Sequence, residues 1–115
     1  MQRRIFLRQT ACAASLRVLG ANGDIRVAVA GFRGHGRTHI RNYLKMPGVR
    51  LVALCDADRA VLDRETGSLA KAGLRVDAYQ DIRRLLDRPD IDAVSTATPN
   101  HWHALLTIWA CQAGK

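Results

Sequence analysis

One stretch of this chain constrains its fold more than any other. An apolar, strand-like run from Ile25 to Ala30 leads directly into a turn that holds Gly31, Gly34 and Gly36, and a helical pattern follows. Glycine permits positive φ in a tight turn and lets backbone N–H groups come close to a phosphate, while the N-terminus of the following helix favours negative charge. The sequence therefore predicts a strand–turn–helix unit that can hold a phosphate group.

An acidic residue stands 20 positions after Gly36, at the end of a second apolar run. Asp56 directly follows the run from Val49 to Cys55. In dinucleotide-binding units, an acidic residue at about this distance accepts hydrogen bonds from the adenosine ribose. Two interpretations stay open: the two features form one nucleotide site, or a structural turn is followed by an unrelated strand-end aspartate.

The remaining sequence alternates strand and helix signals. Apolar residues at helical spacing follow the strand-like runs at 25–30, 49–55, 76–79 and 91–97. Gly73 and Gly114 are expected to end the second and the last helix. Alternation of this kind implies a parallel sheet with right-handed crossovers, so the predicted fold class is α/β with about four strands.

Length and charge limit the classes of function. The 115 residues suffice for one small domain, and no apolar run approaches the length of a membrane span. The net charge of +8 is spread over the chain, because most arginines alternate with Asp or Glu. We therefore expect no nucleic-acid partner and no membrane span.

The cysteines and histidines do not predict a metal centre. Cys12, Cys55 and Cys111 are far apart and form no Cys-x-x-Cys pair, so neither a disulfide framework nor a zinc site follows from them. Cys55 and Cys111 have apolar neighbours, and we expect both to be buried. His101 and His103 lack an evident third ligand, so no metal is predicted.

Residues 1–24 differ in character from the rest. Arg3-Arg4-Ile5-Phe6-Leu7-Arg8 resembles the twin-arginine motif of signals that export folded proteins, and Ala11 to Leu16 resembles the start of the apolar core of such a signal. Arg17 interrupts that core, so an export signal and a plain basic extension both stay open. The first implies a periplasmic protein and the second a cytoplasmic one. The folded domain is expected to cover 25–115.

The last third of the chain adds a more specific pattern. Ala97-Thr98-Pro99-Asn100-His101-Trp102-His103 follows a strand-like run and opens a helix. Together with the glycine turn, Cys55-Asp56 and Tyr79-Gln80-Asp81, it resembles the N-terminal domain of the Gfo/Idh/MocA oxidoreductases (glucose–fructose oxidoreductase, inositol dehydrogenase and relatives) over residues 25–115. The resemblance implies a Rossmann-type doubly wound parallel sheet, incomplete here, that binds NAD, with NADP as the alternative, in an oxidoreductase acting on sugars or polyols.

The resemblance also implies which residues contact the cofactor. Gly31, Gly34 and Gly36 line the pyrophosphate, Asp56 holds the adenosine ribose, and residues 98–100 lie under the nicotinamide half. Asn100 also suits a helix N-cap, and Pro99 biases Thr98 towards extended backbone, so a purely capping role for Asn100 and a packing role for His103 stay open. The full set of predicted cofactor-binding residues is Gly31, Phe32, Arg33, Gly34, Gly36, Asp56, Thr98, Pro99, Asn100 and His103.

The sequence departs from the family pattern in two places. Arg33 stands where a strict G-x-G-x-x-G has its second glycine, and its guanidinium either pairs with a phosphate or points to solvent. The family's Glu-Lys-Pro motif, with its catalytic lysine, and the substrate domain have no counterpart before the last residue, Lys115. We therefore expect no catalytic residue in this chain and self-association through an exposed sheet edge. The alternative is a non-catalytic ligand-sensing or partner-binding module on the same fold.

Overall fold

The computed structural model describes residues 23–115, in which strands and helices alternate as predicted. The twin-arginine-like segment lies outside the described residues. The strands are β1 (Ile25–Ala30), β2 (Val49–Cys55), β3 (Asp77–Tyr79) and β4 (Ala93–Thr96), and the helices are α1 (His35–Lys45), α2 (Arg59–Lys71), α3 (Ile82–Leu86) and α4 (Asn100–Gln112).

The strands form one parallel sheet, which confirms the predicted fold class. Their order is β3-β2-β1-β4, so β1 lies between β2 and β4. Ala30 at the end of β1 is in register with Cys55 at the end of β2 and with Thr96 at the end of β4. The segments that follow these strands therefore meet at one edge of the sheet. The strand order runs from β1 outwards to β2 and β3 on one side, and the chain then returns to place β4 on the other side of β1. Ligands bind at such a switch point in open α/β folds.

The two faces of the sheet carry separate cores, because successive strand residues point to opposite faces. On one face, Val29 and Leu54 pack with buried residues of α1 and α2, such as Ile40 and Leu62. On the other face, Ala28, Ala30 and Ala53 pack with residues of α3 and α4 that include Leu85 and Leu106. Small alanines on this second face let these two helices approach the sheet closely.

Both glycines that were predicted to end helices do so. Gly73 has φ +85° after α2, and the Leu74 N–H donates to the Leu69 carbonyl at 2.9 Å. Gly114 has φ +77° after α4, and the N–H of the next residue donates to the Ala110 carbonyl at 2.9 Å. Each is a Schellman-type end, which needs the left-handed backbone that glycine adopts at little cost.

One expectation about the cysteines is confirmed and one is wrong. Cys55 is buried at the end of β2, but Cys111 is exposed on α4. The reason lies in the surface of α4, where Trp102, Leu105 and Ile108 are also among the exposed large apolar residues. Apolar neighbours along the sequence therefore did not indicate burial here. No helix of residues 23–115 is long and apolar enough to cross a membrane.

Candidate functional site

A cavity of about 530 Å³ opens at the carboxyl edge of the sheet. Its walls come from the segments that follow all four strands, together with residues of α3 and α4. Pockets of this size and position are the usual ligand sites of open α/β folds. The lining residues are Ala30, Gly31, Phe32, Arg33, Cys55, Asp56, Ala57, Asp58, Gln80, Ile82, Ala97, Thr98, Pro99, Trp102 and Leu106.

Two glycines of the turn are required by close packing. Gly31 has φ +78°, and a Cβ there would lie 2.8 Å from the Thr98 backbone nitrogen. A Cβ on Gly36 would lie 1.9 Å from the Gly31 carbonyl oxygen and 2.7 Å from the Phe32 Cβ. Gly31 thus lets the turns after β1 and β4 touch, while Gly36 lets α1 pack directly on the turn after β1.

The third glycine of the turn, Gly34, is not required by close packing. It is the N-cap of α1, makes no side-chain capping bond and would have nothing within 4 Å of an added Cβ. The first turn of α1 contains no acidic side chain. The first turn of α1 therefore has no carboxylate of its own to compensate its N–H groups and the positive end of the helix dipole.

Asp56 joins the turns after β1 and β2 through its two carboxylate oxygens. The Phe32 N–H donates to Oδ2 at 3.3 Å, and the Asp58 N–H donates to Oδ1 at 2.9 Å. Its own N–H donates to the Tyr79 carbonyl at 3.1 Å, which ties the end of β2 to β3. Each carboxylate oxygen has a second lone-pair direction, so Asp56 can accept further hydrogen bonds from a ligand.

Arg33 does not extend freely into solvent. Its Nη2 donates to Asp58 Oδ2, which forms an ion pair between the turns after β1 and β2. The other oxygen of Asp58, Oδ1, caps α2 by accepting from the N–H groups of Ala60 and Val61. The hydrogen bond from Val61, aided by Arg33, holds the pKa of Asp58 below its ordinary value.

The turn after β4 is held by local hydrogen bonds. The hydroxyls of Thr96 and Thr98 are 2.9 Å apart, and the Ala97 N–H donates to the Ala30 carbonyl at 2.9 Å. Thr98 and Pro99 line the cavity. The N-cap of α4 is Pro99, and Asn100 is the first helical residue. The prediction that Asn100 caps this helix was therefore wrong by one position.

The structure brings six of the ten predicted residues to the cavity wall. Phe32 has its side chain fully buried in the core, and its N–H donates to Asp56. His103 is not at the wall, and its buried Nε2 has no hydrogen-bond partner among residues 23–115. The six are Gly31, Phe32, Arg33, Asp56, Thr98 and Pro99, whereas Gly34, Gly36, Asn100 and His103 lie outside the wall.

Several wall residues were missed by the sequence analysis. Asp58 has a visible signal, because an aspartate just before a helical pattern is a common N-cap. Gln80 donates from Nε2 to the Ala57 carbonyl at 3.2 Å, which joins the turns after β2 and β3. Burial raises the pKa of the Cys55 thiol to about 12, so this wall residue stays protonated at neutral pH. No cluster of metal-ligating side chains is present in the described part of the chain.

Comparison with known proteins gives a consistent result. Residues 25–115 match a family described as "oxidoreductase family, NAD-binding Rossmann fold". A glycosyl hydrolase family 109 protein of Shewanella sp. strain W3-18-1 is 36% identical over 96 residues, which cover 79% of this chain and 21% of that protein. An alpha-N-acetylgalactosaminidase of Shewanella oneidensis is 34% identical with the same coverage.

Solved structures show the same likeness in three dimensions. The scyllo-inositol dehydrogenase of Lactobacillus casei, solved with bound NAD(H) and scyllo-inositol, has a TM-score of 0.71 and 26% identity over 80% of this chain and 26% of that one. The myo-inositol 2-dehydrogenase of Lactobacillus plantarum has a TM-score of 0.70 and 30% identity over 79% and 26%. The chain thus spans about a fifth of the curated relatives' length and about a quarter of the solved chains'.

Proposed function

Because the chain belongs to the Gfo/Idh/MocA family of oxidoreductases, through its NAD-binding Rossmann domain, we propose that NAD binds in the cavity at the carboxyl edge of the sheet. The observation that carries this proposal is the joining of the glycine turn to Asp56 through the Phe32 N–H. That hydrogen bond joins the glycine turn to the Asp56 carboxylate, which supports a phosphate site next to a ribose site.

The residues around the cavity fit a dinucleotide. Neighbouring atoms occupy the space that a Cβ on Gly31 or Gly36 would take, and the absence of these Cβ atoms lets the turn and the start of α1 lie close together. The start of α1 offers N–H groups and no carboxylate, which suits a diphosphate. Asp56 retains lone pairs for ribose hydroxyls, and the apolar side chains of Ile82 and Leu106 form part of the same wall.

Each segment then has a distinct task. The turn after β1 holds the diphosphate through backbone N–H groups, and Asp56 orients the adenosine ribose. Thr98 and Pro99 form the floor of the nicotinamide half, held in place by the contact of Thr98 with Gly31. When bound, NAD supplies a carbon centre that accepts a hydride. The protein's part is to bind and orient that group.

Isothermal titration of the 115-residue chain with NAD tests this proposal. We expect saturable binding at one site, weakened roughly tenfold or more by Asp56→Asn, because an amide cannot accept on both sides. Asp63→Asn is the matched control, since Asp63 pairs with Arg59 on the exposed face of α2. Absence of binding, or equal effects of the two substitutions, contradicts the proposal.

We further propose that the activity served by this domain is the oxidation of a sugar or polyol hydroxyl. A specific finding favours a second candidate: relatives that are 34–36% identical are described as glycosyl hydrolases, including an alpha-N-acetylgalactosaminidase. Both candidates involve polyhydroxylated substrates. Oxidation of the alcohol would transfer a hydride to NAD and release a proton, whereas hydrolysis would add water across a glycosidic bond with no net change in the cofactor.

Two chimeras separate these candidates. Residues 25–115 replace the matching segment in the Lactobacillus casei inositol dehydrogenase and in the Shewanella oneidensis glycosidase. If the first chimera still oxidises inositol, followed as NADH absorbance, the result supports the oxidoreductase. Release of an aryl leaving group in the second chimera alone supports the glycosidase. Loss of both activities in folded, NAD-binding chimeras favours the non-catalytic module.

A further inference from the structure

We propose that Asp58, acting through Arg33, makes this site select NAD over NADP. This inference rests on the proposed NAD site and goes beyond it, because it assigns cofactor discrimination to a second carboxylate and to the arginine at the second-glycine position. The starting observation is that Asp56, Asp58 and Arg33 all line the same cavity.

Hydrogen bonds connect the three groups. Asp58 donates its N–H to Asp56 Oδ1 at 2.9 Å, and the residue before Arg33 donates its N–H to Asp56 Oδ2 at 3.3 Å. The Arg33 guanidinium then closes the cluster by pairing with Asp58 Oδ2. Two carboxylates and one guanidinium leave a net charge of −1 beside the group that would bind the ribose. An added 2′-phosphate meets like charge there.

The pair is also easily exchanged. The side chains of Arg33 and Asp58 are 76% and 35% exposed, and an ion pair at such a position contributes little to stability. A phosphate can therefore compete for Arg33, but Asp58 opposes that exchange. Without the Asp58 charge, the cluster becomes neutral and Arg33 is free to pair with the 2′-phosphate. Arginine suits this role because its guanidinium matches phosphate geometry.

Other basic groups on α2 are less well placed for this role. Arg59 follows Asp58 directly in sequence, yet its side chain is 68% exposed and it does not line the cavity. Within the described range 23–115, Arg33 is thus the cation at the cavity wall. Its counter-ion Asp58, rather than a residue farther along α2, determines whether Arg33 binds a carboxylate or a phosphate.

The test is Asp58→Asn in the 115-residue chain, titrated separately with NAD and NADP. This substitution removes the charge but keeps Oδ1, the oxygen that accepts from Ala60 and Val61, so the cap of α2 is retained. We expect NADP to bind about tenfold more tightly and NAD to change less than about threefold. Adding Arg33→Gln to Asp58→Asn should abolish the gain, and Asp63→Asn should change neither affinity.

Each other outcome overturns the inference. An equal gain in affinity for NAD and NADP in Asp58→Asn means that Arg33 binds the diphosphate that the two cofactors share. If the gain in NADP affinity persists when Arg33→Gln is added to Asp58→Asn, Arg33 has no part in the selection. An NADP affinity no higher than that of Asp63→Asn, while NAD binds normally, refutes this inference and leaves the proposed function intact. Failure of NAD to bind the unaltered chain refutes both.

Discussion

Replacing Gly36 with alanine should destabilise the protein, although alanine is the better helix former. The added Cβ would lie 1.9 Å from the Gly31 carbonyl oxygen, where ordinary contact begins at about 3.4 Å. Helix α1 must therefore retreat by about 1.5 Å from a backbone atom that cannot rotate away. Such overpacking costs about 3 kcal/mol, and the gain in helix propensity returns about 1 kcal/mol. We expect a net loss of about 2 kcal/mol.

Gly67→Ala is the matched control, because Gly67 lies within α2 and an added Cβ there meets nothing within 4 Å. It should gain about 1 kcal/mol, since only helix propensity changes. Thermal unfolding followed by circular dichroism should show Gly36→Ala melting roughly 8–16 °C lower and Gly67→Ala roughly 4–8 °C higher than the unaltered chain. Equal melting temperatures of the two variants would refute the claim that the turn and α1 are packed without space.

Three further predictions concern charge and reactivity. Asp56→Ala should narrow the difference in binding free energy between NAD and NADP by about 1–3 kcal/mol, measured by titration, and an unchanged difference contradicts a ribose-binding role. Arg26 forms a two-pronged ion pair with Asp92 and lowers the pKa of that carboxyl. This ion pair should stabilise the fold fully above the unfolded-state pKa of Asp92, about 4, and its contribution should be lost as the pH falls towards the lower folded-state pKa. Asp92→Asn should therefore reduce the loss of unfolding free energy at acidic pH, measured by urea titrations. An unchanged dependence of the unfolding free energy on pH argues against the pair. Iodoacetamide at pH 8 should modify Cys111 and spare Cys55, because the Cys55 thiol is buried and its pKa is raised to about 12. Peptide mass spectrometry that finds Cys55 modified in the folded chain contradicts this prediction.

The fold was predictable because its signals are local. Alternating strands and helices, and glycines at helix ends, follow from backbone preferences that a short window of sequence contains. The positions of Gly31 and Asp56 at the edge of the sheet were predictable for the same reason, since each directly follows a strand. Parallel pairing then brings the ends of β1 and β2 together, and the register of Ala30 with Cys55 places both residues at one edge.

Other features depend on how distant segments meet. Arg33 and Asp58 are 25 positions apart, and their pairing requires the two turns to face each other. The burial of Phe32 depends on how the turn after β1 packs on the core, and the exposure of Cys111 depends on how α4 is rotated against the sheet. Asn100 failed as a cap because the helix begins one residue earlier than the capping pattern implies. Sequence alone did not determine these orientations.

The expected self-association stays a prediction, and the structure shows what it depends on. Among residues 23–115, β4 pairs with β1 alone and forms one edge of the sheet. All four residues of β4 are half-buried. An unpaired strand edge presents N–H and C=O groups that can pair with another strand.

The most direct test of the central claim is an amide NMR titration of the 115-residue chain with NAD. We expect the signals of Gly31, Arg33, Asp56 and Thr98 to shift as NAD saturates the chain, because these residues line the cavity. A second groove, lined by residues between Asp63 and Val76 along α2 and the segment after it, provides the internal control and should not respond. Shifts confined to that groove, or no shifts at saturating NAD, would contradict the claim that the carboxyl edge of the sheet binds the cofactor.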